Sequence, residues 1–253
     1  TTPDPVLLHK ILSDMASSGV THAAIEASSH GLDQFRLDAV KVNVAGFTNL
    51  SRDHLDYHST FDAYLDAKLG LVRRVVQPDG CVVLNADSDV YSEFKKAAEG
   101  RGLQVLSYGY AGTDLKLKSV VSHHAGQKVD ISVKGHDYVI EFPLVGEFQI
   151  LNILCAIGMV IGCGTDVSDT IKALGAIQNV PGRLEQIVNL KSGASVYVDF
   201  AHTPDALETV LNSLRPHTSA NIHVVVGCGG DRDKGKRPIM GTIAGQLADK
   251  VYV

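Results

Sequence analysis

The sequence lacks a long apolar run, a basic stripe and a pattern of paired cysteines. Its longest apolar stretch, residues 150–163, is too short and too interrupted by glycine to span a bilayer, so we interpret it as a buried helix. The net charge is -5 with scattered Lys and Arg, which argues against nucleic acid as a partner. The four cysteines include no C-x-x-C pair, which favours free thiols in a reducing cytoplasm.

The chain also lacks an initiator methionine and a signal peptide. Its 253 residues are enough for one large domain or two ordinary ones. The last residues, 251–253, have the character of a strand that is just beginning. Since strands of α/β folds seldom end a chain at their first residues, we expect the natural chain to be longer.

The first half of the chain alternates helical and strand patterns. We predict helices over residues 4–17, 61–76 and 91–99, and strands over residues 21–27, 42–50, 81–85 and 104–108. Such alternation predicts an α/β fold with a doubly wound, mostly parallel sheet.

The pattern then changes to period two over residues 115–145, which predicts a flanking antiparallel sheet with turns at Gly126 and Gly135. Helices are expected over residues 148–162 and 167–178. We place a domain boundary at Pro181-Gly182. The predicted domains are therefore 1–180 and 181–253, the second being the beginning of another α/β unit with strands at 184–190, 195–200 and 222–226 and helices at 205–214 and 238–250.

Polar side chains follow three predicted strands at the edge where ligands bind in open α/β sheets. Glu26, Asn49 and Asp199 end these strands and lead into loops rich in Ser, His and Asp. Each could equally be a helix cap or a hydrogen-bonded turn, because loops carry solvated polar groups as well as function. Together they favour a binding site.

Lys68 lies within the apolar stripe of the predicted helix 61–76. That stripe has spacings of three and four residues and consists of Phe61, Tyr64, Leu65, Leu69 and Val72. On spacing alone, a lysine whose stem packs while its ammonium group reaches water is favoured. The alternative is an amine turned toward the site, where desolvation lowers its pKa.

Residues 230–237 nearly match the phosphate loop G-x-x-x-x-G-K-[ST], but Arg237 replaces the hydroxyl that should hold Mg²⁺. Asp231 and Asp233 would also bring carboxylates against phosphates. We therefore interpret the segment as a charged loop in which Arg232 either grips a carboxylate or joins a surface salt-bridge network.

Six segments resemble the Mur ligases, the ATP-dependent amide-bond-forming enzymes of bacterial cell-wall synthesis, and within them the branch that adds the third residue to a UDP-N-acetylmuramoyl dipeptide. They are residues 26–36, 48–58, 67–68, 181–185, 199–205 and 227–238. The resemblance implies that residues 1–180 are most of the central ATPase domain without its phosphate loop, and that residues 181–253 begin a Rossmann-like C-terminal domain. The 253-residue chain alone is then expected not to turn over ATP.

The resemblance also implies roles for individual residues. Mg²⁺ would be held by Glu26, His54 and a carbamylated Lys68, with His54 and Lys68 counted as catalytic. The UDP-muramoyl dipeptide would be bound by Thr1, Thr2, Ser28, Gln34 and Arg36, and the nucleotide by Asn152, Arg183, Asp199 and His202. Arg232 would hold the incoming amino acid. One departure is Gln149, which stands where the family has Asn in an N-x-x-N pair.

The implied reaction begins when ATP phosphorylates the D-glutamyl side-chain carboxylate to an acyl phosphate, which the amine of the next amino acid attacks. Mg²⁺ would offset charge on the phosphoryl oxygens. We expect meso-diaminopimelate as the amino acid rather than L-lysine, and a monomer that binds neither nucleic acid nor membrane.

Three alternatives remain at this point. One is the related folylpolyglutamate synthetase, and another is a structural subunit that has lost catalysis. The third is a metal-dependent hydrolase built on His54, Asp56 and His58, which would bind metal without nucleotide.

Overall fold

The computed structural model describes residues 2–51, 54–228 and 235–253. The chain folds as two units, which we call unit 1 (Thr1–Tyr108 with Cys155–Thr165) and unit 2 (Gly109–Leu154 with Asp166–Val253). No helix in the described ranges is long and apolar enough to cross a membrane.

Unit 1 is built around three parallel strands, in which β1 pairs with β2 and β2 with β3. The strands are β1 (Val42–Phe47), β2 (Val76–Asn85) and β3 (Gln104–Gly109), and the helices are α1 (Pro5–Ser17), α2 (Ser29–Asp33), α3 (Leu55–His58), α4 (Phe61–Gly70) and α5 (Tyr91–Glu99). A π-helical turn, Leu71–Val75, continues α4 into β2. The α/β class is confirmed, and so is the alternation of helices and strands predicted over residues 42–108.

The boundaries of α1 follow from its end residues. The Asp4 side chain accepts a hydrogen bond from the Leu7 amide, and Pro5 occupies the first helical position, where no N–H partner is needed. After the helix, Gly19 takes a positive φ of 81° that suits glycine. These end residues account for the helix that the sequence predicts over residues 4–17.

The core of unit 1 lies between β2 and the helices that flank it. Val82, Val83 and Leu84 are fully buried on successive positions of β2, as expected for a parallel strand covered on both faces. Phe47 of β1 stacks on Phe94 of α5 with ring centroids 3.8 Å apart. This packing fixes the end of β1, after which residues 48–51 follow without regular secondary structure.

The predicted strand over residues 21–27 is wrong. The segment has no regular secondary structure, and its residues 21–26 are exposed. A strand requires ladder hydrogen bonds from a neighbour, and no strand of the described residues pairs with this segment. Its end is nevertheless fixed, because the Thr2 hydroxyl donates to the Glu26 carbonyl.

Unit 2 contains the antiparallel strands predicted from period-two patterning, with β5 pairing with both β4 and β6. These strands are β4 (Leu115–His123), β5 (Gly126–Val133) and β6 (His136–Phe142). Gly126 and Gly135 have positive φ values at the two turns, as their place in the sequence indicated.

The remaining elements of unit 2 follow in chain order. They are α6 (Glu147–Gly162), whose last residues belong to unit 1, α7 (Val167–Ala173), β7 (Glu185–Asn189), β8 (Ser195–Val198), α8 (Pro204–Leu214), β9 (His223–Val225), α9 (Lys236–Leu247) and β10 (Lys250–Tyr252). Strands β7 and β8 are antiparallel, and β9 and β10 are parallel. The strand predicted to begin near residue 251 is therefore present.

The start of α6 is fixed by a buried side chain. Gln127 on β5 is completely buried, and its Nε2 atom donates to the carbonyls of Leu144 and Gly146 at 3.0 Å each. Two carbonyls before the helix thereby gain a donor, which buried backbone groups need.

The cysteines are free thiols, as predicted, and Cys81 and Cys155 are buried. Burial raises the pKa of the Cys155 thiol to about 11. This thiol therefore stays protonated at neutral pH.

Candidate active site

The first group of predicted site residues surrounds Thr2, which is only 3% exposed. Its hydroxyl donates to the Glu26 carbonyl at 2.9 Å and accepts from the Ser28 amide at 2.9 Å. The Ser28 hydroxyl lies 3.0 Å from the Thr2 hydroxyl oxygen. As the N-cap of α2, the Ser28 hydroxyl also accepts from the Gly31 amide. Thr2 therefore joins the beginning of the chain to the loop before α2. Thr1 lies outside the described residues.

Arg36 and Gln34 belong to the same group. The Arg36 Nη1 atom donates to the Thr2 carbonyl at 2.7 Å, and its Nε atom donates to Gln34 Oε1 at 3.0 Å. Four of the five residues predicted to bind the muramoyl dipeptide are thus linked by hydrogen bonds, with one guanidinium charge among them. Such a group can bind an anionic or amide-rich ligand.

Tyr57 is a member of this site that the sequence reasoning missed. Its hydroxyl accepts from Gln34 Nε2 at 3.1 Å and donates to Asp33 Oδ2 at 2.8 Å. The residue connects α3 to Gln34, and its ring lies 4.1 Å from the ring of His30. The signal available in the sequence was its position within segment 48–58.

A cluster of imidazole rings lies beside this group. The ring centroid of His30 is 5.0 Å from that of His54 and 5.5 Å from that of His58. His58 is buried, and its Nε2 atom lies 2.9 Å from the Ser29 hydroxyl. The Ser29 hydroxyl thus binds one ring nitrogen of His58, and this contact links α3 to α2.

Burial is the main cause that lowers the pKa of His58, and the neighbouring His30 lowers it further. His54 and Lys68 act in the same direction, while Asp33 opposes them. The neutral ring is therefore favoured in the folded protein.

Lys68 lies on the side of α4 that faces this cluster. Its Nζ atom is 5.6 Å from the centroid of the Tyr64 ring, and that ring is 5.9 Å from the ring of His54. Lys68 is half-buried, and its charge acts on His58. This arrangement supports an amine directed toward the site.

The described residues contain no group of three His, Cys, Asp or Glu side chains arranged to hold a metal ion. The predicted set of Glu26, His54 and Lys68 includes only two residues of those types. Glu26 is exposed, and His54 takes a left-handed conformation with φ of 55° just before α3. The lysine would have to become an oxygen ligand for the set to reach three.

The second group of predicted site residues lies in unit 2 around Asp199. Its Oδ2 atom accepts from the Leu184 amide at 2.8 Å, and its Oδ1 atom accepts from the Ala201 amide at 2.8 Å. The carboxylate thus holds the loop after β8 against the loop before β7.

Arg183 and His202 lie on these two loops. The Arg183 guanidinium is 5.7 Å from the ring of Phe200, which is 68% exposed. His202 Nδ1 lies 3.0 Å from the Phe200 carbonyl, and the His202 carbonyl accepts from Lys236 Nζ at 2.7 Å. Phe200 was not singled out from the sequence, although it lies within segment 199–205.

Asn152 lies on α6, and its Nδ2 atom donates to Gln149 Oε1 at 3.3 Å. Gln149 in turn donates to the Arg183 carbonyl. Within unit 2, Gln149 therefore links Asn152 to Arg183, and Asp199 binds the next amide, that of Leu184. Arg232, predicted to hold the amino acid, lies outside the described residues.

The three parallel strands of unit 1 and the helices that flank them define an α/β protein. The chain matches the Mur ligase middle domain over residues 1–160 and the Mur ligase glutamate ligase domain over residues 182–253. It belongs to the Mur ligase family.

Two relatives carry the name UDP-N-acetylmuramoyl-L-alanyl-D-glutamate–2,6-diaminopimelate ligase. The chain is 48% identical over 257 residues to the protein of Bradyrhizobium diazoefficiens and 50% identical over 253 residues to that of Mesorhizobium japonicum. Each match takes in 100% of this chain but only 53% and 52% of the two relatives. The chain therefore spans about half the length of the curated relatives it matches.

Solved structures agree with these matches. A ligase structure of the same name has a TM-score of 0.77 at 35% identity. The match covers 99% of this chain and 51% of the chain in that structure. The structure of the MurF ligase of Thermotoga maritima in complex with ADP has a TM-score of 0.68 at 21% identity, which shows a shared fold. That match covers 85% of this chain and 49% of the MurF chain.

We expect the free energy of unfolding to fall as pH decreases through about 6.5, the ordinary pKa of histidine, partly because of His58. Its pKa is lowered in the folded state, so as the pH falls the unfolded chain is protonated before the folded protein. Protonation therefore stabilises the unfolded chain relative to the folded protein. His58→Gln, which does not titrate, should make this decrease between pH 7.5 and 5.5 shallower in urea unfolding curves.

The matched control is His9→Gln, which changes an exposed histidine on α1 and should keep the wild-type pH dependence. Equal slopes in wild type and His58→Gln would contradict the assignment of this pH dependence to His58.

Proposed function

We propose that this chain is the catalytic core of a ligase that uses ATP to join meso-diaminopimelate to UDP-N-acetylmuramoyl-L-alanyl-D-glutamate in peptidoglycan synthesis. The names of relatives about half identical to it support the substrate assignment. The observation that carries the proposal is that the residues assigned by resemblance form two hydrogen-bonded groups. One joins Thr2, Ser28, Gln34 and Arg36 directly. In the other, Gln149 links Asn152 to the Arg183 carbonyl, Asp199 binds the adjoining Leu184 amide, and His202 contacts the Phe200 carbonyl.

In this proposal each group has one task. Thr2, Ser28, Gln34 and Arg36, together with Thr1, bind the muramoyl dipeptide and present its D-glutamyl carboxylate. The group around Asp199 binds ATP, whose γ-phosphoryl group passes to that carboxylate. Arg232 holds the carboxylate of the incoming amino acid while its amine attacks the acyl phosphate and expels phosphate. Holding both reactants in place supplies much of the rate enhancement.

The chemistry of the donor set fits Mg²⁺ if Lys68 is carbamylated. Mg²⁺ prefers oxygen ligands, and an ammonium group offers none. A carbamate on Lys68 would add carboxylate oxygens to the Glu26 carboxylate and the His54 imidazole. When bound, Mg²⁺ would neutralise charge on the phosphoryl oxygens. The half-buried position of Lys68 beside Tyr64 supports this modification, because a desolvated amine reacts in its neutral form.

Carbamylation of Lys68 predicts a carbamate resonance in the carbon NMR spectrum of the complete gene product equilibrated with ¹³C-bicarbonate. Lys68→Ala should remove the resonance and lower ligase activity by at least a hundredfold, on the order of one lost catalytic charge interaction. Lys96→Ala, an exposed lysine on α5, is the control and should keep both. A Lys68→Ala enzyme of wild-type activity would refute the modification.

The proposed reaction is tested by incubating the complete gene product with ATP, Mg²⁺, the muramoyl dipeptide and one amino acid. We expect ADP release and a tripeptide product with meso-diaminopimelate, at a higher kcat/KM than with L-lysine. A site that pairs the second carboxylate rejects an analogue lacking it, because a buried cation is left unpaired.

Three results would contradict the assignment. Faster turnover with L-lysine would overturn the choice of amino acid. Activity with a reduced folate and glutamate instead would favour the folylpolyglutamate synthetase alternative. Binding without any turnover would favour a structural subunit.

We also propose a domain boundary at Pro181-Gly182, which is supported by a family match that begins at residue 182. The proposed activity places the protein in the cytoplasm, where nucleotide precursors are made, as a monomer.

A further inference from the structure

Gln149 occupies the first turn of α6 and is only 6% exposed. A buried primary amide needs partners for its N–H groups and its oxygen, since leaving them unsatisfied costs free energy. The hydrogen-bond partners of the Gln149 side chain therefore indicate its role.

The amide of Gln149 connects two residues of the proposed nucleotide site. Its Nε2 atom donates to the Arg183 carbonyl at 2.9 Å, and its Oε1 atom accepts from Asn152 Nδ2 at 3.3 Å. Asn152 is three residues further along α6 and so lies on the same face of the helix. Both the nitrogen and the oxygen of the Gln149 amide are thus hydrogen-bonded to other protein groups.

The Arg183 carbonyl and the Leu184 amide belong to one peptide group, which is held at both ends. Gln149 binds the oxygen, and the Asp199 carboxylate binds the N–H at 2.8 Å. These two side chains come from α6 and from the loop after β8. Together they fix the orientation of the peptide plane.

This peptide group needs to be held because Leu184 has a positive φ of 45°. A left-handed conformation is unfavourable for a residue with a Cβ, which approaches the following carbonyl oxygen too closely. Turning the peptide plane over would return Leu184 to negative φ but would reverse both hydrogen bonds. The buried Leu184 side chain packs near Gly146, so the residue cannot simply move away.

We propose that Gln149 is a positioning residue of the nucleotide site, which orients Asn152 and Arg183 for the ligand without touching it. The side chain does so by holding the strained Arg183–Leu184 peptide from the α6 side. This inference rests on the proposed function and extends it to a residue where the chain departs from the family pattern.

Two variants separate positioning from simple stability. Gln149→Glu keeps the size and the acceptor for Asn152, but it replaces the donor to the Arg183 carbonyl by an oxygen. Gln149→Met keeps the length and removes both hydrogen bonds. Gln178→Glu, an exposed glutamine of unit 2, is the matched control for the added charge.

The complete gene product is assayed with ATP varied and the other two substrates saturating. We expect the KM for ATP to rise on the order of tenfold in Gln149→Glu and Gln149→Met, as for one lost hydrogen bond near 1.4 kcal/mol. The KM for the muramoyl dipeptide should stay within about twofold, and Gln178→Glu should match wild type in both.

An ATP KM within about twofold of wild type in the variants would overturn the positioning role. A lower Tm with unchanged ATP KM, or an equal rise in every KM, would assign Gln149 to stability alone and also overturn it. If one variant is too unstable to purify, the other decides by the same criterion. A wild-type enzyme without ligase activity would refute the proposed function and this inference with it.

Discussion

The second candidate site depends on the hydrogen bonds that the Asp199 carboxylate accepts. Loops without ladder hydrogen bonds must find other partners for their backbone groups. Asp199 accepts the amides of Leu184 and Ala201, one with each oxygen. Hydrogen bonds to a charged acceptor are worth about twice those between neutral groups. One side chain thereby fixes both loops that carry Arg183 and His202.

The first site is arranged on the same principle with a hydroxyl at its centre. The Thr2 side chain binds the loop before α2, and the Thr2 carbonyl accepts from Arg36. Tyr57 and His58 then tie α3 to α2 through Gln34 and Ser29. In both units, the residues assigned to ligand binding lie on loops whose backbone groups are held by side-chain hydrogen bonds.

Much of this could be predicted from the sequence, because strand ends and helix caps leave local signals. The helix predicted over residues 4–17 and the turns predicted at Gly126 and Gly135 are where the structure has them. Among the residues that the resemblance named, Thr2 contacts Ser28 and Arg36, and Arg36 contacts Gln34.

What escaped prediction depends on partners distant in sequence. Residues 21–27 have strand composition but no strand of the described residues beside them, and composition cannot supply a partner. Tyr57 gains its place only from Asp33 and Gln34. From the sequence, Gln149 was only a departure from an N-x-x-N pair, and its hydrogen bonds to Arg183 and Asn152 could not be predicted.

Amide hydrogen exchange of Asp199→Asn against wild type tests most directly whether one carboxylate holds both loops. An asparagine can accept with only one of its two terminal atoms. We predict that exchange at Leu184 or Ala201 accelerates by about tenfold or more, since a charged hydrogen bond contributes roughly 1.5–3 kcal/mol, while amides in the β4–β5 ladder keep their wild-type rates. Unchanged protection at both Leu184 and Ala201 would contradict the account.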